Sequence, residues 1–277
     1  MITDSQTNTL YLADILPVKH PKFYQELSLV LQECGIKPRL LPHTKDIWAV
    51  DYMPVQVREN HFVQFAYDPD YLQPKKWHKT ISDTSQICAA LGLHPYKSNI
   101  RLDGGNISRS ANAVMLCDKV FRENNGIKER ELISTLESLF ETERLFFVPQ
   151  NYYDFTGHVD GMARFINEDT VLINDLSVES PEYQTTFRMA LHNAGLKYLE
   201  IPYCPDQADH DAATGLYINY LEMQNTIIVP LFGIKSDDIA VSQFENIFNG
   251  YQVHTVNCNE IAKLGGVLNC ISWNIKT

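Results

Sequence analysis

A recurring grammar constrains this chain more than any single residue: an amphipathic helix, a glycine that closes it, and a strand-like run directly after. His20-Pro21 opens the first such helix, with Phe23, Leu27, Val30 and Leu31 on one face and Gly35 at its end; Ile36 to Leu41 follows as a strand. Asp83 caps a shorter helix through Ile87 and Leu91 to Gly92. Ser180-Pro181 opens another through Phe187 and Leu191 to Gly195, and Ser236 opens one through Phe244 and Phe248 to Gly250. A fifth helix, Glu129 to Phe140, runs into Arg144-Leu145-Phe146-Phe147-Val148-Pro149 without the glycine. The spacing is roughly 50 to 57 residues, the range in which repeats mean propellers or solenoids. Further strands fit between the helices, at His61 to Tyr67, Thr170 to Asn174 and Thr226 to Pro230, so each unit reads as a small mixed sheet with one helix. No Pro/Gly/Ser-rich linker separates any two units, which predicts one closed domain over residues 1–277.

Such a repeat also predicts where function lies. If the strand after each helix runs toward the same end of the molecule, the loops that follow converge there. Those loops hold the unusual residues: Asp46, Trp48 and Asp51 in unit one, Asp103-Gly104-Gly105-Asn106 in unit two, and Gly157-His158-Val159-Asp160 in unit three. Unit four supplies Asp209-His210-Asp211 with Tyr217 and Asn219, and unit five a glycine-led turn ending in Cys270. His158 and Asp160 stand two apart before an alternating run, so both side chains point the same way, one able to carry a proton and the other to anchor a cation. Each residue has a plainer reading. Trp48 packs at a loop base, Gly104 and Gly105 make a turn needing positive φ, and Asp209-His210-Asp211 forms a solvated loop.

Composition narrows the partners. At 44% hydrophobic and 21% charged, with net charge −11 and pI near 5.2, the chain argues against nucleic acid or an anionic membrane and suits a cation. No apolar run reaches membrane-spanning length and the first residues lack the look of a signal peptide, so a cytoplasmic protein is the expectation. Cys34, Cys88, Cys117, Cys204, Cys258 and Cys270 contain no C-x-x-C pair, so neither structural zinc nor any other metal or cofactor is expected.

The chemistry follows from this set. A thiol paired with an imidazolium is a nucleophile with a lowered pKa. Asp51, Asp103 and Asp160 around it would oppose an oxyanion but suit a planar cation whose N–H groups match paired carboxylates, namely a guanidinium. W-x-x-D-x-x-P, D-G-G-N, G-H-V-D-x-x-A-R-F and G-G-x-x-x-C-I, in this order and over nearly the whole chain, resemble agmatine deiminase and the bacterial peptidylarginine deiminases of the guanidine-modifying superfamily. That resemblance implies an α/β fold, a five-bladed α/β propeller of ββαβ units with pseudo-fivefold symmetry. It implies Cys270 as nucleophile, His158 as general acid and base, Asp51 and Asp160 as the guanidinium clamp, and Asp103 as the residue that orients the histidine. Trp48, Asn106 and Asn219 join the clamp residues as expected substrate contacts.

The activity implied is hydrolysis of a C–N bond in a linear amidine: a small-molecule guanidine yields ammonia and a ureido product through a covalent thiouronium on the cysteine. Amidino transfer and a non-catalytic binding protein on the same scaffold are the alternatives, and a homo-oligomer is left open. Four positions depart from the family pattern: Val50 for Arg, Met53 for Gly, Gly161 for Glu and Asn269 for His. The chain is also shorter than a typical agmatine deiminase and begins close to its first strand, so a long N-terminal substrate loop is expected to be missing. Loops carrying Tyr152, Tyr153, Asp154, Asp209 and Asp211, with few basic residues, favour a cationic or neutral tail, hence agmatine or a related alkylguanidine over free arginine, with peptidyl-arginine open.

Overall fold

The computed structural model describes residues 1–151, 154–205 and 211–277, and among these fifteen strands form five three-stranded sheets, each with one antiparallel and one parallel pairing. The second sheet sets Val55–Arg58 antiparallel to His61–Ala66, which pairs in parallel with Tyr96–Arg101. The third repeats this with Ser108–Arg109, Val114–Cys117 and Leu145–Val148; the fourth with Ala163–Phe165, Thr170–Asn174 and Lys197–Ile201. In the fifth, Leu221–Met223, Thr226–Leu231 and Gln252–Asn257 take the three places. The first sheet is assembled from both chain ends: Ser272–Ile275 lies antiparallel to Thr9–Ala13, which runs parallel to Arg39–Leu41. Parallel neighbours cannot be joined by a hairpin, so each parallel pair needs a crossover. The five predicted helices supply it, at Pro21–Glu33, Thr84–Ala90, Glu129–Phe140, Pro181–Asn193 and Ser236–Ile247.

The helices form where the apolar spacing placed them. Phe23, Leu27 and Leu31 are buried on one face and Val30 lies half-buried beside them; each full burial contributes about 1.5–3 kcal/mol. Asp83 and Ser180 cap their helices by accepting the N–H of Gln86 and Tyr183. The closing residues Gly35, Gly92, Gly195 and Gly250 all take positive φ, and where the third helix has no glycine, Glu141 adopts the same left-handed conformation at φ 54°. Ser236 does not cap its helix. Buried Asp237, in the first turn, instead ties down the loop before the helix, accepting from the backbone N–H of Phe232, Gly233 and Ile234 and from the Tyr217 hydroxyl.

The middle strands of the third and fifth sheets are buried almost end to end, as in sheets covered on both faces. The N-terminal residues are pinned by Asp4, which pairs with Arg109 at 3.0 Å and Arg164 at 2.7 Å. No helix among the described residues is long and apolar enough to cross a membrane. What matters for the site is the segment after each third strand: residues 42–54, 102–107, 149–162, 202–220 and 258–271 each lead into the next sheet. All five expected loops carry a residue that reaches one locus.

Candidate active site

Three short turns aim the acidic groups. Asp51 sits in the one-turn helix Ala49–Tyr52, Asp103 immediately precedes the turn Gly104–Asn106, and His158 and Asp160 flank and enter the turn Val159–Gly161. His158 is held from both sides: Nε2 lies 3.0 Å from Asp103 Oδ2, and Nδ1 is 3.5 Å from Asp51 Oδ1. The Tyr71 hydroxyl donates to the same Asp103 oxygen at 3.2 Å, and the backbone N–H of Gly105 donates to Asp51 at 3.1 Å. On the other flank the Cys270 thiol points at Asp160 Oδ2, 3.8 Å away. That carboxylate also accepts from the side-chain amides of Asn269 at 2.7 Å and Asn219 at 3.0 Å. Asn219 returns its oxygen to the Cys270 backbone N–H at 3.2 Å, so one side chain sets the spacing between thiol and carboxylate.

The paired glycines are needed for close approach, not for positive φ; neither Gly104 nor Gly105 adopts it. A Cβ on Gly105 would stand 2.5 Å from His158 Nδ1 and 2.6 Å from Asp51 Oδ1, in the gap between the two groups. Gly266 plays the same part beneath the thiol, where a Cβ would meet the Trp48 ring at 2.7 Å and Cys270 Sγ at 3.1 Å.

Electrostatics correct one expectation. Burial would drive His158 toward the neutral imidazole, but Asp51 and then Asp103 outweigh it and hold the ring well above its ordinary range, as an imidazolium. Burial also pushes up the Asp51 and Asp160 carboxyls, against the pull of His158. The Cys270 thiol is not lowered: burial, then Asp160 and Asp51, push it well above the usual thiol value. Without a cation between the carboxylates it is therefore a protonated thiol donating to Asp160. The imidazolium lies between its own two carboxylates, Asp51 and Asp103.

These groups open onto a cavity of about 1330 Å³ lined by Trp48, Asp51, His158, Asp160, Asn219 and Cys270. Asp103 lies behind His158, as an orienting residue should. Asn106 does not reach the cavity: its amide binds the backbone N–H of Cys117 at 2.6 Å and its C=O at 3.4 Å, so it fixes the turn and is withdrawn as a substrate contact. Asn219 has both amide atoms engaged and acts by positioning. Tyr152, Tyr153, Asp209 and His210 lie outside the described residues. Asp154 and Asp211 line the cavity, but so do Lys19, His20 and Lys263, so the expectation of few basic residues there does not hold.

Two residues had no signal in the sequence. Tyr71 follows an unremarkable Asp-Pro-Asp stretch, yet its ring lies edge-on to His158. Lys119 sits between an apolar strand and a short helix, and its buried ammonium meets Asp70 at 3.2 Å, Glu123 at 3.1 Å, the Thr156 carbonyl at 2.7 Å and Asp103 at 3.9 Å. It ties the Tyr71 loop and the His158 loop to the carboxylate that orients the histidine. A lysine beside apolar residues at an element boundary is too common to flag.

The model of the Porphyromonas-type peptidyl-arginine deiminase family matches residues 18–275. A curated protein of Mycoplasma mycoides subsp. mycoides, assigned as an agmatine deiminase, is 22% identical over 232 residues, covering 71% of this chain; the chain spans 63% of that relative's length. The C. jejuni agmatine deiminase structure superposes with a TM-score of 0.81 at 17% identity, over all of this chain and 95% of the other. A cysteine-to-serine form of that enzyme with substrate bound superposes at 0.80 and the same identity, over all of this chain and 96% of the other. At such identity the likeness establishes the fold.

Proposed function

Because the chain belongs to the Porphyromonas-type peptidyl-arginine deiminase family, we propose that it is a guanidine deiminase, a hydrolase that converts a small-molecule guanidine to ammonia and a ureido product. The observation that carries this reading is the Cys270 thiol 3.8 Å from buried Asp160, on one cavity with Asp51 and His158. Such a site is short of one positive charge and offers planar acceptors, which is what a guanidinium supplies. That the substrate complex of the C. jejuni relative was captured in a cysteine-to-serine form supports the nucleophile assignment.

The steps follow from the charges. When the guanidinium binds between Asp51 and Asp160, its positive charge offsets the carboxylates that hold the thiol up, and the thiol proton leaves to solvent. The thiolate forms a bond to the guanidinium carbon. The C–N bond to one terminal nitrogen then breaks as His158 gives that nitrogen its proton, releasing ammonia and leaving an S-alkylthiouronium. Neutral His158 takes a proton from water, whose oxygen adds to the same carbon, and the C–S bond breaks as the hydroxyl proton of that adduct passes to sulfur, restoring the thiol and freeing the ureido product. Asp103 keeps the ring oriented through both transfers. Amidino transfer would need an amine in place of that water. The five sheets, we further propose, stand as blades of a ring over one domain of residues 1–277, which brings one loop per blade to the site.

The reference substrate is agmatine or a related alkylguanidine. A panel of agmatine, free arginine, a blocked peptidyl-arginine and simple alkylguanidines, read by ammonia release and ureido formation, tests the proposal. Turnover of at least one guanidine that is lost in Cys270→Ala supports it. No turnover of any, with Cys270 unreactive toward a chloroacetamidine, would move the protein to the binding class.

A further inference from the structure

The cavity is larger than a small guanidine needs. Its volume of about 1330 Å³ exceeds the range of about 300–1000 Å³ usual for small-molecule sites, and the guanidinium groups occupy only its floor. Beside that floor, next to Asp160, stands Gly161. Among the described residues a Cβ built there meets a single atom, Leu216 Cδ2 at 3.7 Å, so the glycine leaves open space where a side chain would stand. Met162, Leu176, Tyr183, Tyr203 and Leu216 all line the cavity, with Asp154, Glu179 and Ser180 also in its lining. Farther out, Phe155 and Val178 line it too, and both are among the large hydrophobic side chains left exposed, at 48% and 45%. Exposed apolar groups gathered at one mouth mark a place where an apolar ligand is received.

A second, independent observation lies at the base of the same opening. Asn174, which lines the cavity and is buried, donates through Nδ2 to the Gly161 carbonyl at 2.7 Å. Its Oδ1 is buried and has no hydrogen-bond partner among the described residues. A buried acceptor left unmet is costly and rare, and a ligand donor would satisfy it.

We infer that this opening is a substrate arm, which seats the tail of the guanidine substrate, and that the tail is a bulky uncharged alkyl or aryl group attached through a hydrogen-bond donor such as an amide N–H. The guanidinium end sits on Asp51 and Asp160, the N–H reaches Asn174 Oδ1, and the apolar group packs among Met162, Leu176, Tyr183 and Leu216. Gly161 is the residue that admits it. The inference rests on the guanidinium reading of the Asp51 and Asp160 pair.

Binding to Cys270→Ala, which removes turnover from the measurement, is titrated calorimetrically with methylguanidine, agmatine, octylguanidine, N-benzoylagmatine and octylamine. Each methylene that leaves water contributes about threefold to fourfold in affinity, so three seated methylenes give about fiftyfold. Octylguanidine and N-benzoylagmatine should bind at least that much tighter than methylguanidine, and tighter than agmatine. In the same background Gly161→Leu should cut the octyl-to-methyl affinity ratio at least tenfold. Asn174→Leu should weaken N-benzoylagmatine, which has the amide donor at the arm, about tenfold more than octylguanidine, which lacks it. Tails that add nothing to methylguanidine, or agmatine binding as tightly as N-benzoylagmatine, would overturn the arm while leaving the guanidinium reading intact. That comparison needs neither arm variant to fold. Octylamine binding as tightly as octylguanidine would overturn the guanidinium reading itself, and with it the assignment of the tail.

Discussion

Asp160→Asn separates the electrostatic account of Cys270 from a simple nucleophile-and-base account. Without a bound cation the thiol donates to Asp160 Oδ2 at 3.8 Å, and that carboxylate, after burial, is the chief charge holding the thiol up. At this distance a unit charge acting through an effective dielectric near 20 is worth about 4 kcal/mol, roughly a thousandfold in an equilibrium constant. Burial raises the Asp160 carboxyl as well, against the pull of His158, and half of that interaction is the lower bound of the expectation. A thiolate of lower basicity is also less nucleophilic, with a Brønsted coefficient of about 0.4–0.5, so roughly half of the logarithmic gain survives in rate. The expected outcome is alkylation of Cys270 by neutral iodoacetamide at pH 7 that is about fivefold to fortyfold faster in Asp160→Asn than in the unmodified protein. Guanidine turnover should fall about hundredfold or more, because a preorganised charge at the reacting centre is lost, and labelling by a cationic chloroacetamidine should slow. The assay is time-resolved mass spectrometry of the peptide carrying Cys270, with exposed Cys204 as the internal control whose rate should not change. Unchanged or slower iodoacetamide labelling of Cys270 would refute the claim that Asp160 suppresses the thiolate.

Cys270→Ala should abolish ammonia release while leaving the urea midpoint within about 1 kcal/mol of the parent, since one small side chain at the edge of a cavity contributes little packing; a large loss of stability would make the thiol structural. Gly105→Ala forces a methyl between His158 Nδ1 and Asp51 Oδ1, and turnover should drop about hundredfold while guanidine binding weakens, because Asp51 is half of the proposed clamp; wild-type kcat would show that the His158 to Asp51 contact is dispensable. Lys119→Met leaves Asp103 and Glu123 buried without their cation, and urea denaturation should register a loss of about 3–5 kcal/mol; a neutral result would mean those carboxyls take up protons at no cost. Burial pushes Asp46 up to about 7 and Glu222 up to about 8. A folded-state pKa above the unfolded one means stability that is full below about pH 4 for these two groups and is lost as pH rises through about 7 to 8. The urea midpoint should therefore fall between pH 5.5 and pH 9, and the fall should shrink in Glu222→Gln.

Much of the fold was legible because each unit carries its own punctuation. The helix caps Asp83 and Ser180, the apolar stripe Phe23, Leu27 and Leu31, and the left-handed closures at Gly35, Gly92, Gly195 and Gly250 are local signals. Elsewhere the local signal failed. Glu141 adopts the conformation that a glycine usually takes, while Ser236 begins its helix with no side-chain cap. The same division runs through the site. Asp51, Asp103, His158, Asp160 and Cys270 could be picked out because a loop at a fixed place in every unit predicts where to look. Asn106 was misplaced because D-G-G-N reads equally as a binding turn and as a turn that ties itself to the next strand through Cys117.

The protonation state of the site was not legible at all, and the reason is physical. Whether a thiol beside a histidine is a thiolate depends on a sum over charges that come from different loops, and that sum exists only once the loops meet. Here His158 lies between two carboxylates of its own, Asp51 and Asp103, while the thiol faces a third, Asp160. The imidazolium is flanked by Asp51 and Asp103, while burial, Asp160 and then Asp51 keep the proton on sulfur. A neutral electrophile entering such a site meets an unreactive thiol, whereas a cation that bridges Asp51 and Asp160 removes the charge that keeps sulfur protonated. On the proposed reading, selectivity for a guanidinium would arise at the nucleophile as well as at the clamp, and it would require Asp160 to act on both the substrate and the sulfur. Asn219 and Asn269 make that double role possible: by donating to the same Oδ2 they hold one carboxylate where it can face both.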